Sequence, residues 1–79
     1  MPRATLTEVL GQVLRRRRLK AKLSQEEVAL RAGTYQAYIS LIEAGSRSPS
    51  VVTLSLLAKA LDTSMSSIIR DVERLLAGQ

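Results

Sequence analysis

Apolar residues recur along most of the chain at intervals of three and four, the spacing of one buried helix face. This pattern predicts an all-α chain with helices at 5–21, 25–32, 35–43, 51–61 and 64–77. Residues 1–4 precede the first helix and are expected to form a flexible arm. Because the chain has 79 residues and no internal repeat, we expect one compact domain.

Polar residues mark the expected helix starts. Thr5 precedes Glu8 by three residues, and Ser24 precedes Glu27 by three, which is the spacing of a capping box. The later helices have single capping candidates, namely Thr34, Ser50 and Ser64. Side-chain oxygens at these positions satisfy backbone N–H groups that a helix leaves free at its start.

The expected core consists of one apolar stripe from each helix. In the first two helices the stripes comprise Leu6, Leu10, Val13, Leu14, Ala21, Val28, Ala29 and Ala32. In the third and fourth they comprise Tyr35, Tyr38, Ile39, Ile42, Val51, Leu54, Leu57, Ala58 and Leu61. In the fifth they comprise Met65, Ile68, Ile69, Val72, Leu75 and Leu76. Arg17 interrupts the first stripe and is expected to bury its aliphatic part while its charge reaches water.

The residue types present exclude most catalytic and metal-binding functions. The chain has no Cys and no His, so it lacks a thiol nucleophile, an imidazole for acid-base chemistry and the usual zinc ligands. Its seven acidic residues are scattered. We therefore expect neither an enzyme nor a bound metal or cofactor.

The charge balance points to an acidic partner. Twelve Lys and Arg against seven Asp and Glu leave a net charge of +5, which favours nucleic acid or an acidic membrane surface. Apolar runs are short and broken by charge, so no membrane span or signal peptide is predicted. A cytoplasmic protein is expected.

Two short predicted helices are joined by a turn of the kind found in helix-turn-helix proteins. Ala29 lets the helices cross closely, Gly33 makes the turn, and Ile39 follows six residues later. Over about residues 8–69 the chain resembles the Cro and phage-repressor type (XRE-like) helix-turn-helix family, which includes small controller proteins of restriction-modification systems. The matching residues are Leu23-Ser24-Gln25, Ala29, Gly33, Tyr38-Ile39-Ser40, Glu43, Gly45, Pro49, Ala58 and Ala60-Leu61.

The resemblance implies a five-helix, lambda-repressor-like domain whose third helix enters the major groove of DNA. The residues it places against base edges are Tyr35, Gln36, Ala37, Ser40 and Leu41. Their chemistry agrees independently, because a Gln bonds an adenine edge bidentately and Ala or Leu contacts a thymine methyl. The alternative is that this strip is an ordinary solvent-exposed face.

Phosphate contacts are expected around this helix. The resemblance places Gln25 at a phosphate, where the start of helix two also offers free amides; an ordinary helix-start residue is the alternative. The further phosphate candidates are Thr34, Tyr38, Arg47, Arg15 and Arg16. For Tyr38, core packing is an equal alternative. For Arg15 and Arg16, the alternative is a general contribution to the positive field of the protein.

Arg18 and Glu43 match a pair that in phage repressors joins helix one to helix three, so we expect a structural ion pair.

A second apolar strip on helix four, formed by Val52, Leu56 and Ala60, needs a cover. We expect a homodimer on a palindromic operator, since one recognition helix reads only a few base pairs. The expected interface residues are Val52, Leu56, Ile69, Val72, Leu75 and Leu76. The alternative is that these residues cover each other within one monomer.

The functional expectation is a sequence-specific regulator of transcription, such as a restriction-modification controller, a Cro-like repressor or an autoregulator. Its partners would be double-stranded DNA and a second copy of the chain, with RNA polymerase added if it activates transcription. The alternative is a protein-interaction module, such as an antitoxin or adaptor, that retains the helix-turn-helix.

Overall fold

The computed structural model describes residues 4–79, so most of the predicted arm lies outside the described residues. Five helices and no strand are present in this range. They are α1 (Leu6–Lys20), α2 (Gln25–Ala32), α3 (Gln36–Glu43), α4 (Val51–Ala60) and α5 (Met65–Ala77). The all-α prediction is confirmed, and every predicted helix boundary lies within one residue of the observed one.

Both predicted capping boxes are formed. The Glu8 amide donates to Thr5 Oγ1 at 3.1 Å, while the Thr5 amide donates to the Glu8 carboxylate at 2.9 Å. Ser24 and Glu27 repeat this exchange at the start of α2. These hydrogen bonds from the backbone favour the ionised carboxylates and hold the pKa of Glu8 and of Glu27 below the usual 4.5.

The start of α3 differs from the prediction. Ser50 and Ser64 cap α4 and α5 as expected, but the N-cap of α3 is Tyr35, whose side chain makes no capping bond in the described structure. Thr34 was predicted to cap α3, and that prediction is wrong. Its amide donates to the Ala29 carbonyl at 2.9 Å, so Thr34 completes the end of α2 instead.

Buried side chains from all five helices meet in one core. The helix α1 packs against α3 and α5, α2 packs against α3 and α4, and α4 contacts α5. Ile42, Ile68 and Val72 are the most deeply buried large side chains, each stabilising the fold by about 2 kcal/mol. This arrangement leaves α3 attached by one face and open on the other.

Five residues that were predicted to lie in the apolar stripes are exposed, namely Leu6, Ala21, Tyr35, Val51 and Ile69. The first four are the first residue of a helix or its cap, where the neighbouring helices no longer cover the apolar face. Ile69 lies within α5, next to the buried Ile68. In their place Val9 is buried in the core. Apart from Ile69, the predicted stripes are therefore correct in the middle of the helices and wrong at their ends.

The sequence predicted that the charge of Arg17 reaches water, but in the structure the guanidinium is bonded to other side chains. Its Nε and one terminal nitrogen donate to the Asp71 carboxylate at 3.1 and 2.7 Å. The guanidinium also donates to Thr63 Oγ1 at 3.0 Å and to Ser67 Oγ at 2.8 Å. An arginine inside the apolar stripe therefore ties α1 to α5 and to the turn before it.

Within residues 4–79, no helix on its own has the length and apolar composition needed to span a membrane; α4 and α5 meet that requirement only when joined across a 102° bend.

Candidate nucleic-acid interface

A three-residue connection between α2 and α3 sets the direction of α3. Gly33 adopts a left-handed conformation, with φ of 74°, that is readily available to glycine. Its amide donates to the Leu30 carbonyl, which together with the Thr34–Ala29 bond closes the end of α2. The buried Ala29 and Ile39 lie on the two sides of this turn, so one face of α3 packs and the opposite face points outward.

The outward face of α3 contains the residues predicted to read bases. Gln36, Ala37, Ser40 and Leu41 are all exposed along it, and Tyr35 is exposed immediately before the helix. Leu41 is a large apolar side chain that is open to solvent on this face. The structure thus brings all five predicted residues to one surface.

Gln36 is held by a chain of hydrogen bonds that starts in the protein interior. Its Nε2 donates to Gln25 Oε1 at 3.3 Å, and Gln25 Nε2 donates to Glu43 Oε1 at 3.2 Å. Gln25 thus uses one Nε2 hydrogen and its Oε1 in this chain, and Gln36 uses one Nε2 hydrogen, which leaves each amide at least one further hydrogen. Gln25, predicted as a phosphate contact, therefore also orients the predicted base-reading residue.

The predicted pair of Arg18 and Glu43 is formed at the inner end of this chain. Arg18 donates to both carboxylate oxygens at 2.6 and 2.9 Å, and to the Leu23 carbonyl at 2.9 Å. Only 11% of the Arg18 side chain and 5% of the Glu43 side chain are exposed. The hydrogen bonds to Glu43 raise the pKa of Arg18 further above its usual range. A partly buried bidentate pair thus joins α1 to the end of α3.

The loop after α3 presents Arg47 beside an aromatic pair. The amides of Ser46 and Arg47 donate to the Leu41 carbonyl, which folds the loop against the helix end. The Arg47 guanidinium lies 5.7 Å from the centre of the Tyr38 ring, within range of a cation–π interaction. Tyr38 is half-buried and packs against the core, and its ring lies 6.2 Å from that of Tyr35. One part of Tyr38 therefore packs against the core, while its ring also lies beside Arg47 in the loop after α3.

The run of four arginines in α1 divides between different surroundings. Arg15 lines a groove of about 270 Å³ together with Gln25 and Ser40, beside the outward face of α3. Arg16 instead lines a groove with Asp71, between α1 and α5. The structure therefore places Arg15 with the predicted phosphate contacts and does not bring Arg16 to them.

The predicted dimer residues also divide. Val72 is only 1% exposed and fills the monomer core, so its assignment to an interface is wrong. Ala60, assigned to the second strip of α4, is buried for the same reason, since α4 and α5 pack on the core through these faces. Leu75 and Leu76 are half-buried against the core. Val52, Leu56 and Ile69 remain 71%, 45% and 38% exposed and are the part of the prediction that faces solvent.

Two features of this region were not predicted from the sequence. The first is the bond between Gln25 and Glu43, which are 18 residues apart and meet only because α2 and α3 cross. The second is the partner of Arg17, for which Asp71 in α5 carried no local signal. In the sequence, the only sign of these bonds was a polar residue at a position where its helix was expected to pack against another helix.

A short α2, a glycine turn and an α3 with one buried and one exposed face define a helix-turn-helix domain. The family model described as helix-turn-helix matches residues 14–68. The chain belongs to this family.

The chain is similar to transcriptional regulators and controller proteins. An uncharacterized HTH-type transcriptional regulator of Sinorhizobium fredii, y4dJ, is 42% identical over 75% of this chain and 77% of its own length. The restriction-modification controller protein C.AhdI from Aeromonas hydrophila is 35% identical, with a TM-score of 0.76 over 78% of this chain and 94% of that one. The controller protein C.Esp1396I, solved as a tetramer in complex with its natural 35 base-pair operator, is 25% identical, with a TM-score of 0.85 over 95% and 99%.

Proposed function

We propose that the protein is a sequence-specific, double-stranded-DNA-binding regulator of transcription that places α3 in the major groove. The observation that carries this proposal is the exposed face of α3, on which Gln36 is oriented by Gln25. Preorganised side chains on a rigid helix favour base-edge recognition, because little conformational entropy is lost on binding.

The bonding pattern supports distinct roles for the two glutamines. Gln36 uses one Nε2 hydrogen for Gln25, which leaves its Oε1 and a second hydrogen to bond an adenine edge. Gln25 uses one hydrogen for Glu43 and retains another for a phosphate oxygen. Ala37 and Leu41 on the same face suit thymine methyl groups, while Tyr35 and Ser40 complete the base-reading set.

The remaining phosphate contacts surround that face. Arg15 lies beside α3, Arg47 lies in the loop that follows it, and the half-buried Thr34 and Tyr38 flank its first turn. Such contacts fix the register of the protein on DNA and contribute affinity without reading sequence. Binding should consequently weaken steeply as salt rises.

We further propose that two copies bind two half-sites of a palindromic operator. Three exposed apolar side chains on α4 and α5, Val52, Leu56 and Ile69, offer the contact, with Leu75 and Leu76 at its edge. A two-fold dimer would place its recognition helices about one DNA turn apart, roughly 34 Å. C.Esp1396I, solved as a tetramer in complex with its natural operator, supports the binding of more than one copy to one operator.

The biological role that fits best is that of a restriction-modification controller, repressor or autoregulator in a bacterial or phage context. It would act in the cytoplasm by binding alone, without catalysis and without a cofactor. A contact with RNA polymerase belongs to this proposal only in the case of activation.

Selection of binding sites from random duplex DNA tests the proposal directly. At low salt the protein should enrich one inverted-repeat sequence. For the enriched duplex, the logarithm of the binding constant should fall linearly with the logarithm of the salt concentration. Equal recovery of all sequences would contradict sequence-specific recognition.

A further inference from the structure

Gly11 lies in the middle of α1, where a glycine weakens a helix relative to an alanine. Its Cα faces the last turn of α3. A β-carbon at this position would overlap the carbonyl oxygen of Ile42 and lie 3.0 Å from that of Glu43. Both are backbone atoms, which cannot rotate away as a side chain would. The missing side chain of Gly11 therefore permits the close approach of α1 to the recognition helix.

A second glycine repeats this relationship just beyond the end of α3. Gly45 has φ of 78°, and a β-carbon there would lie 2.8 Å from Glu8 Cγ and 3.0 Å from Glu8 Cα. The Glu8 side chain is itself held by the capping box with Thr5. Glu8 and Gly11 are three residues apart and share one face of α1. The C-terminal end of α3 is thus seated on α1 at two adjacent points.

From this seating we propose that Gly11 and Gly45 are positioning residues that set the placement of the recognition helix and thereby the base selectivity of the protein. The inference rests on the proposed DNA-binding function. Because α3 has only eight residues, displacement of its C-terminal end moves Ser40 and Leu41 with it. The same displacement shifts Glu43, which orients Gln25. Productive contacts tolerate errors of only about 0.5 Å, so one added methyl group is sufficient to disturb base reading.

The chain offers a matched control for each glycine. Gly11→Ala is paired with Gly78→Ala, where the β-carbon would meet only ordinary contacts at 3.5 Å and beyond. Gly78→Ala is also the control for Gly45→Ala, because it makes the same change of residue type without a steric overlap. The backbone strain that an alanine with φ of 78° adds at position 45 lowers stability, which the folded fraction of the variant takes into account.

The test compares dissociation constants for the duplex selected by the wild-type protein and for a random duplex at one salt concentration. Thermal unfolding supplies the folded fraction of every variant. We expect Gly11→Ala and Gly45→Ala to lower the ratio of selected to random affinity about tenfold, while random-duplex affinity is retained through phosphate contacts. The ratio should stay unchanged in Gly78→Ala.

An unchanged ratio in both Gly11→Ala and Gly45→Ala, at equal folded fraction, overturns the positioning role and leaves the proposed function intact. Failure of the wild-type protein to select any duplex overturns both. If the variants do not fold, nuclear Overhauser contacts between Gly11 Hα and Ile42 in the wild-type protein decide the question. Their persistence in the DNA-bound state supports the proposal, and their loss on binding contradicts it.

Discussion

The Arg18 guanidinium reaches across from α1 to both carboxylate oxygens of Glu43, at 2.6 and 2.9 Å. Glu43 also accepts a hydrogen bond from Gln25 Nε2, so one carboxylate joins α1, the start of α2 and the end of α3. Under the proposed function, we expect loss of this single group to affect stability and DNA recognition together.

Glu43→Ala is expected to lower the free energy of unfolding by about 3 kcal/mol, because it leaves the Arg18 charge partly buried without a partner. Urea denaturation measures this difference. Glu73→Ala, which removes an exposed carboxylate of α5, is the control and should change stability by less than about 0.5 kcal/mol. Equal stability of the two variants would show that the pair contributes nothing to folding.

Variants of a base-reading residue and of a phosphate-contacting residue should affect DNA binding in different ways. Gln36→Ala should reduce discrimination at one base position by about 1 to 3 kcal/mol, because it removes the proposed adenine contact. Arg47→Ala should weaken selected and random duplexes alike and reduce the salt dependence of binding. Fluorescence anisotropy with single-base variants of the selected duplex distinguishes the two profiles. If both variants lost the same affinity on all duplexes, the exposed face of α3 would not be the surface that reads bases.

The proposed dimer is formed through the exposed apolar residues of α4 and α5. Leu56→Lys combined with Ile69→Lys should give a folded monomer, because the double variant places like charges in the proposed interface. Sedimentation measures the mass, and anisotropy should show weaker binding to the inverted repeat. Leu30→Lys, at an exposed leucine of α2, is the control and should remain dimeric. A wild-type protein that sediments as a monomer at about 50 µM, well above typical specific DNA affinities, would exclude the dimer.

Acid should destabilise the fold through the two capping boxes. The folded-state pKa of Glu8 and of Glu27 is lowered by backbone hydrogen bonds, so their contribution to stability is complete above the usual value of 4.5. That contribution is lost as the pH falls through the lowered pKa. Glu8→Gln with Glu27→Gln should therefore be less stable than wild type near pH 7 and nearly equal to it near about pH 2. A stability difference that does not change with pH would contradict this assignment.

Much of the architecture follows from local patterns. Thr5 with Glu8, Ser24 with Glu27, and Gly33 between α2 and α3 each act within a few residues, so the sequence alone predicted where those helices start and turn. The exposure of Gln36 followed from helical periodicity around the buried Ile39. Arg18 and Glu43 were paired correctly only through the family resemblance, since nothing local links residues 25 positions apart.

The sequence by itself determined five helices, the N-caps of all of them except α3, the turn at Gly33 and the outward face of α3. Tertiary structure decided which apolar residues a neighbouring helix covers, and so placed Val72 in the core while leaving Ile69 at the surface. It also brought Asp71 to Arg17 across 54 residues and set the backbone of α3 against Gly11. The physical reason is that periodicity gives the direction of a side chain from its own helix, whereas its partner depends on how helices cross.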